Sequence, residues 1–184
     1  MKILVNVLCK SVSDPKSLDK IIKGCASDNH EVNINICDYT LAKNIKNEIS
    51  DPFKETVIEL DFEEFDNHDK VLPTWISDGS YNVVLDIDSS IELEPNFLDN
   101  LELSTFDDEN YGCIYSDFYS KTKGGHKIYV HQKSFPLVNT SVPLIVFSAN
   151  SYLKSASEEN IKSHIIASMV SKHIPKALCS IANA

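Results

Sequence analysis

The chain has 184 residues, a hydrophobic content of 42% and a formal net charge of −10. This length suffices for one domain with a continuous core, and the acidic balance disfavours broad binding to a nucleic-acid backbone or an anionic membrane. All 17 residues in the Lys+Arg count are lysines, because the sequence contains no arginine. Any phosphate bound here must therefore rely on metal ions, lysines and backbone amides.

Cysteine usage and hydropathy indicate the compartment. The five cysteines are odd in number and contain no Cys-x-x-Cys pair, so free thiols in a reducing compartment are expected. Three of them, Cys9, Cys37 and Cys113, lie in apolar strand-like runs and are expected in the core. No apolar run approaches 18 residues, and the N-terminal segment lacks a cleavage pattern. The sequence therefore predicts a soluble, cytoplasmic protein with no membrane span.

The first half of the chain alternates between strand-like and helix-like segments. Residues 3–8 form an aliphatic run typical of a central parallel strand. Residues 13–15 read Ser-Asp-Pro, which is typical of a helix start, and apolar residues follow at helical spacing. Further strands are predicted at residues 31–37 and 56–60, with a polar helix at residues 41–49 between them.

The second half contains strands that follow one another more closely. Strands are predicted at residues 113–118 and 127–130, joined by a glycine hairpin turn, and at residues 144–147. Residues 134–143 are polar and proline-punctuated, which is typical of a loop. A last helix is predicted to begin at Ser157 and to end at the His-Ile-Pro of residues 173–175.

This order of elements predicts an α/β fold. Strands alternating with helices are typical of a single domain with a mostly parallel central sheet flanked by helices. In such sheets, ligands bind at the carboxyl ends of the strands. Lys10, Asp38, Asp86 and Asp88 all lie at predicted strand ends, so these four side chains are candidates for a binding site.

The segment 81–98 carries the most specific chemical pattern. An apolar run leads into Asp86-Ile87-Asp88, and two carboxylates on alternate residues of a strand point to the same side. Because each unpaired carboxylate costs several kcal/mol to desolvate, a cation is expected there, and oxygen ligands suit Mg²⁺ or Mn²⁺. Pro95 is expected to start a helix that buries Phe97, Leu98 and Leu101. The alternative interpretation is an acidic turn at a strand end.

Four motifs in this order resemble family 2 glycosyltransferases of the GT-A fold. The segment LDIDSSIELEPNFLDNL is similar to that family's strand, acidic motif and proline-started helix. The segments GCIYSDFYS and PLIVFSANSY resemble two later strands of the family. The pair Glu158-Glu159, fifteen residues before HIPKAL, resembles the acidic pair that opens the family's last helix. The resemblance covers nearly the whole chain.

The resemblance implies a Rossmann-like GT-A domain over residues 1–184. Residues 1–101 would be the half that binds a nucleotide sugar, and residues 102–184 would be the acceptor half. In the donor half, Asp38 would contact the base of the nucleotide, Asp86 would contact the ribose or the metal ion, and Asp88 would bind the divalent ion, Mn²⁺ or Mg²⁺. Lys10 could approach a phosphate.

The resemblance also implies roles in the acceptor half. His173 would complete the metal site or touch the diphosphate. Glu159, or alternatively Glu158, would be the general base that deprotonates an acceptor hydroxyl. Asp117 would lie near the acceptor. A divalent ion would neutralise the charge that builds on a departing nucleoside diphosphate.

These observations predict a metal-dependent glycosyltransferase that uses a nucleotide sugar, most simply a UDP-sugar, with inversion implied by the resemblance alone. The acceptor stays open, and nucleic acid is disfavoured by the acidic balance but not excluded. One alternative is a catalytically degenerate GT-A-fold binding module, because the family's arginine is missing and Glu-Glu replaces Glu-Asp. A nucleotidyltransferase is the other alternative, and the run 10–16 argues against it because it has no glycine and no arginine.

Overall fold

A computed structural model describes residues 1–9, 15–48, 56–58, 74–107, 111–131, 144–156 and 170–182. Within these ranges the strands are β1 (Lys2–Leu8), β2 (Glu31–Ile36), β3 (Val83–Asp88), β4 (Glu92–Leu93), β5 (Tyr111–Lys121), β6 (Lys127–Val130), β7 (Leu144–Ser148) and β8 (Val170–Ala182). The helices are α1 (Pro15–Gly24), α2 (Tyr39–Glu48) and α3 (Ala149–Ala156), with 3-10 turns at Leu98–Asn100 and Leu103–Asp107. None of the helices in these ranges is long and apolar enough to cross a bilayer.

All eight strands belong to one mixed sheet. Its order is β2-β1-β3-β7-β5-β8-β4, with β6 paired to the far end of β5. Strand β1 pairs in parallel with β2 and β3, and β5 pairs in parallel with β8, whereas β3–β7, β7–β5, β5–β6 and β8–β4 are antiparallel. The expectation of a mostly parallel sheet is therefore not confirmed. The described strand–helix–strand unit, β1-α1-β2, lies in the first half, and β5 and β6 are joined by a short turn that imposes antiparallel pairing.

The strands of the first half form as predicted because both of their faces are covered. Val5, Leu85 and Ile87 lie on one face and pack against the apolar stripe of α1. On the opposite face, Leu4 and Val84 pack with the half-buried Trp75 and with residues of α3. A strand covered on both sides reads as a nearly continuous aliphatic run, which is why β1 and β3 could be located from the sequence.

The segment after Pro95 differs from the prediction. Instead of an α-helix, the chain forms the 3-10 turn Leu98–Asn100. Asn96 has a φ of 55°, in the left-handed region where a helix cannot continue and where asparagine is tolerated. The predicted apolar set is nevertheless confirmed, since Phe97, Leu98 and Leu101 are all buried. The apolar pattern therefore identified burial correctly, whereas the α-helix prediction was wrong.

The predicted end of the last helix at residues 173–175 is also wrong. These residues lie within β8, which pairs with β5. The register passes from Ile174 opposite Ser116 to Ala177 opposite Asp117, so Pro175 falls at an irregularity in the ladder. Proline is tolerated at such a bulge because no ladder hydrogen bond is required of it.

Several predicted segments can be compared only in part. The strand predicted at residues 56–60 is described at residues 56–58, where Val57 forms a single parallel bridge to Ile34. The loop predicted at residues 134–143 lies outside the described residues, as does most of the last predicted helix. The hairpin predicted at residues 123–125 is confirmed, and Gly125 has the positive φ, 79°, that such a turn requires.

The cysteines divide into two groups, which gives a first prediction. None of the five forms a disulfide. Cys25, Cys113 and Cys179 are fully buried, and burial raises the pKa of each of these thiols to about 12. Cys9 and Cys37 are half-buried rather than in the core. Because the thiolate is the reactive form, iodoacetamide at pH 8 is expected to label at most two cysteines of the native protein and all five in urea. Mass spectrometry would count them, and rapid labelling of Cys25 in the native state would contradict the fold.

Candidate functional site

A row of polar side chains crosses the parallel part of the sheet. Asn35 of β2, Asn6 of β1 and Asp86 of β3 occupy paired positions of adjacent strands and therefore share one face. The Asn35 Nδ2 donates to Asn6 Oδ1 at 3.1 Å, and the Asn6 Nδ2 donates to Asp86 Oδ1 at 2.9 Å. Both asparagines are 1% exposed. Buried amides are tolerated when they are hydrogen-bonded. We call the chain of hydrogen bonds from Asn35 through Asn6 to the Asp86 carboxylate the polar relay.

Helix α3 supplies a second partner for Asp86. The Tyr152 hydroxyl lies 3.1 Å from Asp86 Oδ1 and 3.2 Å from Asp86 Oδ2, so the phenol donates to this carboxylate. Burial, followed by the charge of Asp86, raises the pKa of Tyr152. The phenol therefore remains protonated and keeps its donor role. Asp86 is thus held from two sides, by β1 and by α3.

Asp88 lies two residues further on, at the end of β3. Its Oδ1 accepts hydrogen bonds from the Ser90 backbone N–H at 2.9 Å and from the Ser90 hydroxyl at 2.7 Å. These bonds hold the turn that leaves the strand. Hydrogen bonds to one carboxylate oxygen still permit cation binding, because a carboxylate offers about four lone-pair positions. Carboxylate oxygens are the ligands that hard divalent ions such as Mg²⁺ or Mn²⁺ prefer, and a cation bound by Asp86 and Asp88 stays a prediction.

The structure describes only some of the other predicted site residues. Asp38 lies at the end of β2, and its Oδ1 accepts the Leu41 backbone N–H at 2.9 Å. It therefore caps the start of α2, which is the ordinary role of an aspartate after a strand. Lys10, Glu158 and Glu159 lie outside the described residues.

His173 lies beside Asp117 in the second half of the sheet. Its Nε2 lies 2.7 Å from Asp117 Oδ1, and His131 Nδ1 lies 3.0 Å from Asp117 Oδ2. Asp117 is fully buried. The strand register places Asp86, Ile145, Tyr115 and His173 in one row, so three strand spacings, roughly 14 Å, separate the backbones of Asp86 and His173. The prediction that His173 completes the site of Asp86 and Asp88 stays untested, but its observed partner is Asp117.

Sequence reasoning missed Asn6, Asn35 and Tyr152 as members of the site. Asn6 carried a signal, because it interrupts the nearly continuous aliphatic run of β1, which is covered on both faces. Asn35 carried less, because the alternation of β2 assigns it to the polar side of that strand. A buried amide needs a partner, and such pairs on neighbouring strands indicate a polar relay. Tyr152 carried no comparable signal, since its approach to Asp86 depends on how α3 packs on the sheet.

Comparison with known proteins supports the fold. No family model matches the chain, and no curated protein matches it in sequence. Among solved structures, S. aureus TarS 1-349 in complex with UDP-GlcNAc is similar with a TM-score of 0.58 and 14% identity, covering 100% of this chain and 59% of that one. A second structure of S. aureus TarS gives a TM-score of 0.55 and 12% identity, covering 99% of this chain and 36% of that chain. The fold of this chain is therefore similar to that of TarS, and the chain covers 59% and 36% of the length of these two structures.

Proposed function

We propose that this protein is a glycosyltransferase that transfers a sugar from a nucleotide-sugar donor to an acceptor hydroxyl. The observation that carries the proposal is the pair Asp86 and Asp88 at the carboxyl end of β3, fixed by hydrogen bonds. The pair lies in a fold similar to that of TarS, which has been solved with UDP-GlcNAc. Ligands of open α/β sheets bind at this edge.

The donor half of the proposed site depends on the orientation of the Asp86 carboxylate. Asn6 and Tyr152 hold the Asp86 carboxylate, so that it can accept hydrogen bonds from a ribose or ligate an ion without reorganising. Asp38 follows β2, which is separated from β3 by β1, and it would contact the nucleotide base. A divalent ion bound between Asp86, Asp88 and the diphosphate would supply charge neutralisation for the leaving group.

The acceptor half of the proposed site contains the acid–base chemistry. Glu159, or alternatively Glu158, is proposed as the general base that removes the acceptor proton, and an inverting transfer would use one such base. Asp117 would act on the acceptor only indirectly, because its carboxylate is buried. His131 is exposed and His173 is half-buried, and both contact the buried Asp117 carboxylate. These two rings would therefore form the acceptor-side surface.

Isothermal titration calorimetry with UDP tests the donor site, which gives a second prediction. Wild-type protein is expected to bind UDP in the presence of Mn²⁺ and to bind it at least about tenfold more weakly in EDTA, because no arginine is present to hold the diphosphate. Asp38→Ala is expected to weaken binding by several-fold, as one lost hydrogen bond of about 1 kcal/mol would.

The matched control is Asp28→Asn, which removes an exposed carboxylate before the start of β2, at the opposite end of that strand. It should bind UDP like the wild type. If UDP and UDP-GlcNAc both fail to bind with Mn²⁺ present, the transferase proposal fails and a binding module without nucleotide-sugar chemistry becomes the better account.

A further inference from the structure

Three potential metal ligands from neighbouring strands meet in the second half of the sheet. Asp117 is on β5, His173 is on β8, and His131 immediately follows β6. One ligand atom from each lies within 4.8 Å of the other two. Strands β6 and β8 both pair with β5, so the sheet itself fixes the spacing of these side chains.

The distances suit coordination of a small cation. Four-coordinate zinc has bonds of about 2.0–2.1 Å to nitrogen and oxygen, which puts ligand atoms roughly 3.3 Å apart. The two imidazole nitrogens lie 2.7 Å and 3.0 Å from the Asp117 carboxylate oxygens. An ion would therefore require an outward shift of only a few tenths of an ångström.

Neighbouring aromatic groups orient the three ligands. The Tyr129 hydroxyl donates a hydrogen bond to Asp117 Oδ2. The Tyr115 ring stacks on His173 with centroids 5.0 Å apart, and the His131 ring meets His173 edge-on at 5.4 Å. Partners of this kind fix the orientation of metal ligands and are a regular part of metal sites.

We propose that Asp117, His131 and His173 form a site for a zinc-type divalent ion. A buried carboxylate needs a positive partner, and one carboxylate with two imidazoles is a donor set for Zn²⁺ and related first-row ions. Three protein ligands leave a fourth position for water or for an oxygen of a bound molecule. His131 is 47% exposed in its side chain, so this position is reachable from solvent.

This site is distinct from the one formed by Asp86 and Asp88. The strand register places His173 three strand spacings from Asp86, and the observed partner of His173 is Asp117. The two donor sets also differ in chemistry, because oxygen-only ligands favour Mg²⁺ and Mn²⁺ whereas imidazoles favour Zn²⁺. The inference does not depend on the proposed transferase activity.

Titration of the purified full chain with Zn²⁺ and with Co²⁺ tests the proposal, which gives a third prediction. Wild-type protein is expected to bind one equivalent of Zn²⁺ with a rise in its unfolding temperature, since a ligand of the native state stabilises it. Co²⁺ is expected to give the intense visible absorption of four-coordinate cobalt, without a thiolate-to-cobalt band in the near ultraviolet. His131→Ala and His173→Ala should each weaken Zn²⁺ binding at least about tenfold.

The controls separate this site from other metal binding. His126→Ala removes an exposed histidine of the same hairpin and should bind Zn²⁺ like the wild type, as should Asp28→Asn, which removes an exposed carboxylate. Tyr129→Phe keeps all three ligands and should weaken Zn²⁺ binding by a smaller factor than either histidine variant does. A graded loss of this kind distinguishes loss of a ligand from loss of the folded state. Equal binding by wild type and both histidine variants, or a thiolate band with Co²⁺, would overturn the proposal.

Discussion

Asp88→Asn is expected to slow the release of UDP from UDP-GlcNAc by about 10³-fold or more when Mn²⁺ is present and water serves as acceptor. The reason is that leaving-group charge neutralised by a metal ion contributes several kcal/mol to the transition state, and each 1.36 kcal/mol is a factor of ten in rate. Asparagine loses the charge while keeping the oxygen that accepts the two Ser90 hydrogen bonds. The turn after β3 should therefore survive, and the variant should fold.

Two measurements make this result specific. The unfolding free energy of Asp88→Asn should stay within about 0.5 kcal/mol of the wild type, as for a surface substitution that preserves its hydrogen bonds. Asp28→Asn, with the same change of charge at an exposed position, should release UDP at the wild-type rate. Retention of full UDP release by Asp88→Asn would show that the carboxylate at this strand end has no part in the chemistry.

The predictable part of the fold is the part in which local pattern and burial agree. The aliphatic run of β1, the alternation of β2 and the apolar stripe of α1 each indicate one element, and the structure contains all three. The pairing partners of the strands could not be predicted in this way. Strand β7 lies between β3 and β5 in the sheet, although both of these strands precede it in the chain. Nothing local to residues 144–148 specifies that position, so the mixed character of the sheet could not be derived from the sequence.

The residues of the candidate site were likewise predictable only where a local sequence pattern identifies them. Asp86 and Asp88 were located because a buried strand ends in two carboxylates that share a face. The pairing of His173 with Asp117 was not predictable, since it depends on the parallel register of β5 and β8 and on the bulge at Pro175. His131 is brought to the same carboxylate by the β5–β6 hairpin. These contacts join residues that are 14 and 56 positions apart, beyond the reach of any local pattern.

Asn6→Ala is expected to lower the free energy of unfolding by roughly 2–4 kcal/mol. Asn6 is 1% exposed and both accepts from Asn35 and donates to Asp86. Removing the Asn6 side chain leaves the buried Asn35 amide without this acceptor and the half-buried Asp86 carboxylate without this donor. Each such loss costs about 1–3 kcal/mol. Urea unfolding followed by fluorescence reports this change, because the single tryptophan, Trp75, packs against the cluster of Leu4 and Val84 beside β1.

A double-mutant cycle distinguishes the relay from simple loss of packing. If Asn6 and Asn35 act as one hydrogen-bonded unit, the losses in Asn6→Ala and Asn35→Ala should sum to at least about 0.5 kcal/mol more than the loss in the double variant. Asn33→Ala is the matched control, since Asn33 lies on β2 but accepts from Tyr81 instead, and its effect should add to that of Asn6→Ala. Strict additivity for Asn6 and Asn35 would show that each amide is stabilised independently. The orientation of Asp86 could then not be attributed to the hydrogen bond between Asn35 and Asn6.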